Sequence, residues 1–170
     1  AASVIKWLAY FHATFMQTPD QQPIDITNQW HQGTYWHLAT RPDEYANMPH
    51  SALKQAAKTL DEQLCNATFK TLLHGDAKIA NFCFSDEHND VAAVDFQYCG
   101  RGVGIVDVVY FIGSAFSSQT LTDFAPLMLD NYFAHIRHAL HDRLEQVQLD
   151  HLEREWRGLY PIAWADFERF

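Results

Sequence analysis

The stretch from Thr71 to Tyr98, TLLHGDAKIANFCFSDEHNDVAAVDFQY, constrains this chain more than any other part of it. Asp76 and Asn81 stand five positions apart in a segment with neither helical nor strand periodicity, which reads as a short irregular loop. Phe82 to Phe84 then reads as a short strand, Ser85 to Asp90 as a turn, and Val91 to Val94 as a second apolar strand ending at Asp95. Such a hairpin carries Asp95 back beside Asn81. Two carboxylates and an amide gathered in this way can divide the work of a polar reaction. One carboxylate accepts a proton, and separate oxygens hold a divalent cation.

The offset between Asp76 and Asn81 is that of the protein-kinase catalytic loop H-R-D-x-x-x-x-N, with Gly75 in place of the Arg. Asp95-Phe96 is followed by Gln97 where those enzymes carry the Gly of D-F-G. The segment resembles the aminoglycoside phosphotransferase and choline kinase superfamily, whose motif is HGDxxxxN followed by a strand ending in Asp. Within it the likeness is closest to the ecdysteroid-kinase-like and choline-kinase-like branch. It is carried by His74-Gly75-Asp76, Asn81, Val94-Asp95-Phe96-Gln97, the glycines Gly100 to Gly104, and Asp107 with Tyr110 and Phe111. It continues at Gly33-Thr34-Tyr35-Trp36 and from Glu155-Trp156-Arg157 to Phe167, so that it touches nearly the whole chain.

The resemblance implies transfer of the ATP γ-phosphate to an acceptor hydroxyl on a choline-like, aminoglycoside-like or other alcohol, with ATP and Mg²⁺ as cofactors. Carried over residue by residue, Asp76 is the catalytic base, Asn81 and Asp95 are Mg²⁺ ligands, and His74 and Asp107 orient the loop. Read without the resemblance, Asp107 opens the apolar helical run Val108 to Phe116, where a carboxylate suits an N-cap or a first turn.

The fold class that follows is α+β and mainly helical: the C-terminal lobe of a protein-kinase-like fold, with the metal site on a small β-hairpin. A chain of 170 residues suffices for one hydrophobic core and reads as a single domain, 1–170. Kinases of this shape place ATP between a helical lobe and a β-rich N-terminal lobe whose strand Lys pairs the phosphates. This sequence opens directly into a helical pattern, Ala1 to Met16, with Val4, Ile5, Leu8, Phe11 and Phe15 on one side. Neither Lys6 nor Lys78 is placed as such a strand Lys, so the expectation is a helical lobe alone.

Further along, 17–48 reads as a long aromatic-studded connection with Pro19, Pro23, Gly33 and Pro42, a candidate substrate-side loop. Ser51 is a plausible N-cap for a helix to Cys65. Gly100 to Gly104 reads as an irregular segment. Helical periodicity returns over Thr120 to Leu144 and Leu149 to Phe170, with Pro161 expected to kink or divide the last helix.

Composition narrows the partners. A net charge of −9 argues against nucleic acid and favours a cationic acceptor among small molecules. Trp30, Tyr35 and Trp36 are candidate substrate-binding residues, since aromatic rings near an acidic face can hold a cation. Against that, aromatic residues more commonly pack. His135, His138 and His141 form a helical stripe that reads as surface histidine, with no Cys or carboxylate spaced to complete a metal site. Cys65, Cys83 and Cys99 lack metal spacing, no apolar run suits a membrane, and a reducing cytoplasm is the default. Two other classes stay open. One is a noncatalytic, kinase-derived binding module that self-associates through the surface an N-terminal lobe would cover. The other is a metal-dependent phosphohydrolase, weaker because two-metal sites need more ligands.

Overall fold

The computed structural model of the protein describes residues 1–18, 29–86 and 90–169. It is mainly helical, with two small antiparallel ribbons, compatible with the expected α+β class. Helix α1 (Ala2–Thr14) buries Val4, Ile5, Leu8, Ala9, His12 and Ala13 and packs along α5 (Ser118–Leu140). The i, i+3, i+4 spacing of these residues makes one apolar stripe, with a histidine in it. Phe11 and Phe15 sit beside the stripe, half-buried, and with Trp7 form a chain of rings at centroid distances of 4.9 and 5.2 Å.

Helix α3 (Ala52–Cys65) starts where Ser51 Oγ accepts from the Lys54 N–H at 3.1 Å, and it buries Ala57, Leu60 and Leu64 against α6 (Gln146–Glu168). Helix α6 opens with a reciprocal cap between Glu145 and Gln148 and also packs on α4 (Ile105–Ala115). The core between these helices is built on Trp156, Tyr132, Phe111 and Phe133, each fully buried. Of the two outcomes expected at Pro161, a kink or a division, the division does not occur in α6. Its ring is exposed, and buried Trp156 and Ala163 on either side hold the flanking turns, so the helix runs through the one bond proline removes.

The strands carry the other departures. β1 (Thr71–Leu73) pairs antiparallel with β4 (Gly100–Gly102), Thr71 opposite Gly102 and Leu73 opposite Gly100. The glycines expected to make an irregular segment therefore make a strand. A Cβ on Gly102 would stand 2.5 Å from Leu73 Cδ1, and one on Gly100 would stand 2.4 Å from the Trp30 carbonyl oxygen. Here glycine permits close packing on both sides of the ribbon. β2 (Phe82–Phe84) and β3 (Val91–Ala93) form the expected hairpin, with Phe82 opposite Ala93. Within the long connection, the sequence reading missed α2 (Pro42–Asn47), although Pro at its start and Asp43 and Glu44 in its first turn are its signal. Pro19, Pro23, residues 87–89 of the hairpin turn and Phe170 lie outside the described residues. Among the described residues no helix is long and apolar enough to cross a membrane.

Leu8, fully buried on the α1 stripe, reports how tightly α1 is fastened. Leu8→Ala should cost about 2–5 kcal/mol through lost transfer energy and the cavity left behind. Urea denaturation would show it as a lowered midpoint at unchanged slope.

Candidate active site

The loop after β1 is held by one buried side chain. Asp107, in the first turn of α4, turns away from its own helix, whose N-cap is Gly104, and accepts from the backbone N–H of His74 at 2.7 Å and of Gly75 at 3.0 Å. His12 Nε2–H donates to the same carboxylate at 3.1 Å, and His12 Nδ1 accepts from the Tyr132 hydroxyl at 2.8 Å. Burial, and after it the Asp107 charge, push the Tyr132 pKa well above the ordinary phenol value, so its proton stays available to His12. His12 and Tyr132 were not singled out in the sequence. A histidine inside an otherwise apolar helical stripe was the available signal.

Gly75 is required by geometry. Its φ is +82°, and a Cβ there would stand 2.0 Å from the Tyr98 carbonyl oxygen. An Arg at this position could not adopt the same path without moving the backbone. The Gly75 carbonyl accepts from the Tyr35 N–H at 2.7 Å, which ties the long connection to the loop. His74 is fixed in one tautomer by its partners: Nε2–H donates to the Val94 carbonyl at 2.9 Å, while Nδ1 accepts from the Asp76 N–H at 3.3 Å. The ring thus spans from the loop to the end of the hairpin.

Asp76 is 1% exposed. Its Oδ2 accepts from the Lys78 ammonium at 2.8 Å and the Asn81 amide at 3.0 Å, and Asn81 Nδ2 also donates to the Asp76 carbonyl at 2.8 Å. The other carboxylate oxygen, Oδ1, is buried and bonded to nothing. Such an atom costs about 1–3 kcal/mol of stability. Lys78 sits higher in pKa than an ordinary lysine, chiefly through its bond to Asp76 and against the opposing effect of desolvation. Tyr110 of α4 lies close by. Burial first, and the nearby Asp76 carboxylate second, drive its phenol pKa far up.

Asp95 stands where the hairpin ends, and the Val94 N–H donates to the Asn81 carbonyl at 2.9 Å, which brings Asp95 to the loop as its spacing suggests. Its backbone is left-handed, φ +66°, a region that Asp tolerates better than most side chains and that swings it out of line with β3. The carboxylate is exposed and accepts from Gln97 Nε2 at 3.5 Å. The backbone bond from Val94 to Asn81 thus sets Asp95 next in the chain to a residue held against the loop of Asp76 and Asn81. Among the described residues no group of three or more His, Cys, Asp or Glu side chains forms a metal cage. Two carboxylates and an amide suit Mg²⁺ better than a cage-bound metal, because Mg²⁺ keeps water and shares its shell with phosphates.

The aromatic candidates are not brought together as one box. Trp36 is 1% exposed in the core, edge-on to Tyr110 and Phe167 at 4.7 and 5.2 Å, with its N–H on Asp166 Oδ2 at 2.9 Å. Trp30 is 47% exposed, stacks on Tyr98 at 6.2 Å and donates its N–H to the Gln97 carbonyl at 2.8 Å, so it clasps the segment after Asp95. The Tyr35 ring carries the Arg41 guanidinium at 4.1 Å.

The loop is suspended from a helix carboxylate and joined to the end of the hairpin by a backbone bond, and the class that its sequence resembles is the protein-kinase-like and choline kinase superfamily. Within that class the model of the ecdysteroid kinase-like family matches residues 63–145, just under half of the chain, and this segment contains His74, Asp76, Asn81, Asp95 and Asp107 together. The match stops short of the likeness noted at Gly33 to Trp36 and at Glu155 to Phe167. No curated protein and no solved structure matches the chain.

The network predicts opposite stability effects for two aspartates. Asp107→Ala leaves two buried N–H groups and His12 without their acceptor and should cost about 3–5 kcal/mol. Asp76→Ala removes the orphaned oxygen and should be neutral or stabilising by up to about 2 kcal/mol. Parallel chemical denaturation of the two variants reads both.

Proposed function

We propose that the protein is a small-molecule kinase, with Asp76 taking the proton of an acceptor hydroxyl as that oxygen bonds to the γ-phosphorus of ATP. The observation that supports this reading best is Asp76 Oδ1. A buried carboxylate oxygen without a donor among the described residues is costly to folding and useful to a reaction that delivers a proton there. As the acceptor O–P bond forms, the bond from the γ-phosphorus to the bridging oxygen of ADP breaks, and the hydroxyl proton goes to Oδ1. Lys78 and Asn81, both on Oδ2, hold the carboxylate so that Oδ1 faces the acceptor.

Asn81 and Asp95 are the residues that would hold Mg²⁺. Asn81 commits its NH₂ to Asp76, so its oxygen is the end chemically fit for a cation. When bound, the metal neutralises charge on the nucleotide phosphates. The exposed Asp95 suits an ion that arrives with its nucleotide. His74 and Asp107 act through the backbone they hold, and residues 1–170 in this reading form the helical C-terminal lobe of a kinase.

For the acceptor, we read 17–48 as the substrate-side connection, with Trp30 and Tyr35 as its aromatic contacts. A cationic head group would compete with Arg41 for the Tyr35 ring, whereas an uncharged alcohol would not. The Arg41 contact favours an uncharged alcohol, and the family's name makes steroid alcohols reasonable first members of the panel.

Calorimetric titration with Mg²⁺-ATP, followed by phosphorus NMR against steroid, aminoglycoside and choline-like alcohols, tests the proposal. Asp95→Ala should lose magnesium-dependent nucleotide binding. Asp76→Asn should bind Mg²⁺-ATP as before and lose turnover by about 10²–10⁴-fold. Full turnover in Asp76→Asn would remove the base. If the whole protein bound no Mg²⁺-ATP, a noncatalytic module docking through Phe84, Val94 and Phe96, all exposed beside the loop, would become the better reading.

A further inference from the structure

Behind the β1–β4 ribbon lies a cavity of about 290 Å³ that none of Asp76, Asn81 or Asp95 lines. Its size is at the lower end of the roughly 300–1,000 Å³ usual for small-molecule sites. Leu64, Leu73, Val103 and Val106 give it an apolar floor, and two cations, Arg101 and Lys70, reach it from the strand and from the residue before it.

Neither cation is in an ion pair with a carboxylate among the described residues. Arg101 Nε is buried and has no hydrogen-bond acceptor among them. The Lys70 ammonium bonds only carbonyl oxygens, those of Leu64 and Cys65. The nearby carboxylates are already engaged. Asp166 accepts from Arg169 Nε at 2.7 Å and from the Trp36 N–H. Asp61 accepts from Gln32 at 3.0 Å and faces His37 at 3.4 Å, and Glu155 takes the backbone N–H groups of Thr68 and Phe69. Two cations outside any ion pair among the described residues therefore meet over an apolar floor. Burial lowers the Lys70 pKa first; the Cys65 thiol opposes that, Arg101 adds to it, and the Glu155 carboxylate opposes it.

We propose that this cavity binds a small organic anion, a carboxylate or a phosphate monoester with a short apolar body, at a site separate from the candidate active site. The anionic group would accept from Arg101 Nε and pair with Lys70, and the body would lie on Leu73, Val103 and Val106. An unpaired buried guanidinium N–H is the group with most to gain from an acceptor. The position gives the site consequences for the rest of the fold. Arg101 pairs with Leu72, and its carbonyl accepts from the Gly33 N–H at 3.0 Å, so an anion there would grip the strand between Asp95 and Asp107 and the connection leading to Tyr35.

Calorimetry and thermal melting with hexanoate, butyl phosphate and hexanamide test this on the whole protein, with Arg101→Met, Lys70→Met and Asp76→Asn as variants. At least one of the two anions should bind at one site and raise the melting temperature, with the tighter one naming the anionic group, and hexanamide should do neither. Arg101→Met should weaken binding by about tenfold or more, as expected for losing a charge-assisted hydrogen bond. Asp76→Asn should bind as the unmodified protein does, and Mg²⁺-ATP should not displace the anion. Because Arg101 Nε makes no internal bond, Arg101→Met without ligand should melt no lower than the parent, and Lys70→Met provides a second variant if it does. Three results would overturn the proposal: no binding of either anion at millimolar concentration, equal binding by hexanamide, or undiminished binding in both Arg101→Met and Lys70→Met.

Discussion

The carboxylate of Asp107 is the interaction on which the rest of this arrangement depends. It is 1% exposed, and it joins three elements distant in sequence: α1 through His12, the loop through the N–H groups of His74 and Gly75, and α4, which carries it. A buried carboxylate is tolerable only when its lone pairs are met by donors, and here ring and backbone N–H groups meet them. The geometry of the loop is thus inherited from helix packing. Where α1 and α4 sit in the core decides where Asp76 points.

Much of this was legible in the sequence, for identifiable reasons. The hairpin could be read because Phe82 to Phe84 and Val91 to Ala93 are short apolar runs around a polar turn, and the paired register follows from so short a connection. The Ser51 cap announced α3. The family likeness named Asp76, Asn81 and Asp95, and the matching family segment covers all three. What it did not reveal was the pairing of Gly100–Gly102 with Thr71–Leu73, because strand partners far apart in sequence leave no local pattern and glycine runs usually mean loops. The His12–Asp107 bond was hidden for the same reason. A polar residue at a core position shows that a partner exists without naming it, and Asp107 read alone suited its own helix as well as it suits the loop.

Pro161 and Trp36 show how tertiary context overrides residue preference. Proline costs a helix one bond and a steric contact, yet α6 has enough buried surface on both sides to run through it. Trp36 belongs to an aromatic-rich connection that suggests a surface cluster, but its N–H meets Asp166 and its ring fills the space beside Tyr110. Neighbours in sequence, Tyr35 and Trp36 face different surroundings, one toward Arg41 and the loop, the other into the core.

The two ribbons differ in a way that matters for how such a protein can change. β1 is buried along its length and tied by its partner strand to the helices, whereas β2 and β3 expose half of their residues, bury Phe82, half-bury Val91 and Ala93, and meet the loop through the Val94–Asn81 and His74–Val94 bonds. Asp76 therefore stands on a fixed mount, and Asp95 on an adjustable arm. Substitutions along the arm can alter its reach without a penalty in folding, while substitutions under the mount meet the full resistance of the core. Variation among proteins built on this plan would then shift the carboxylate of Asp95 far more readily than that of Asp76.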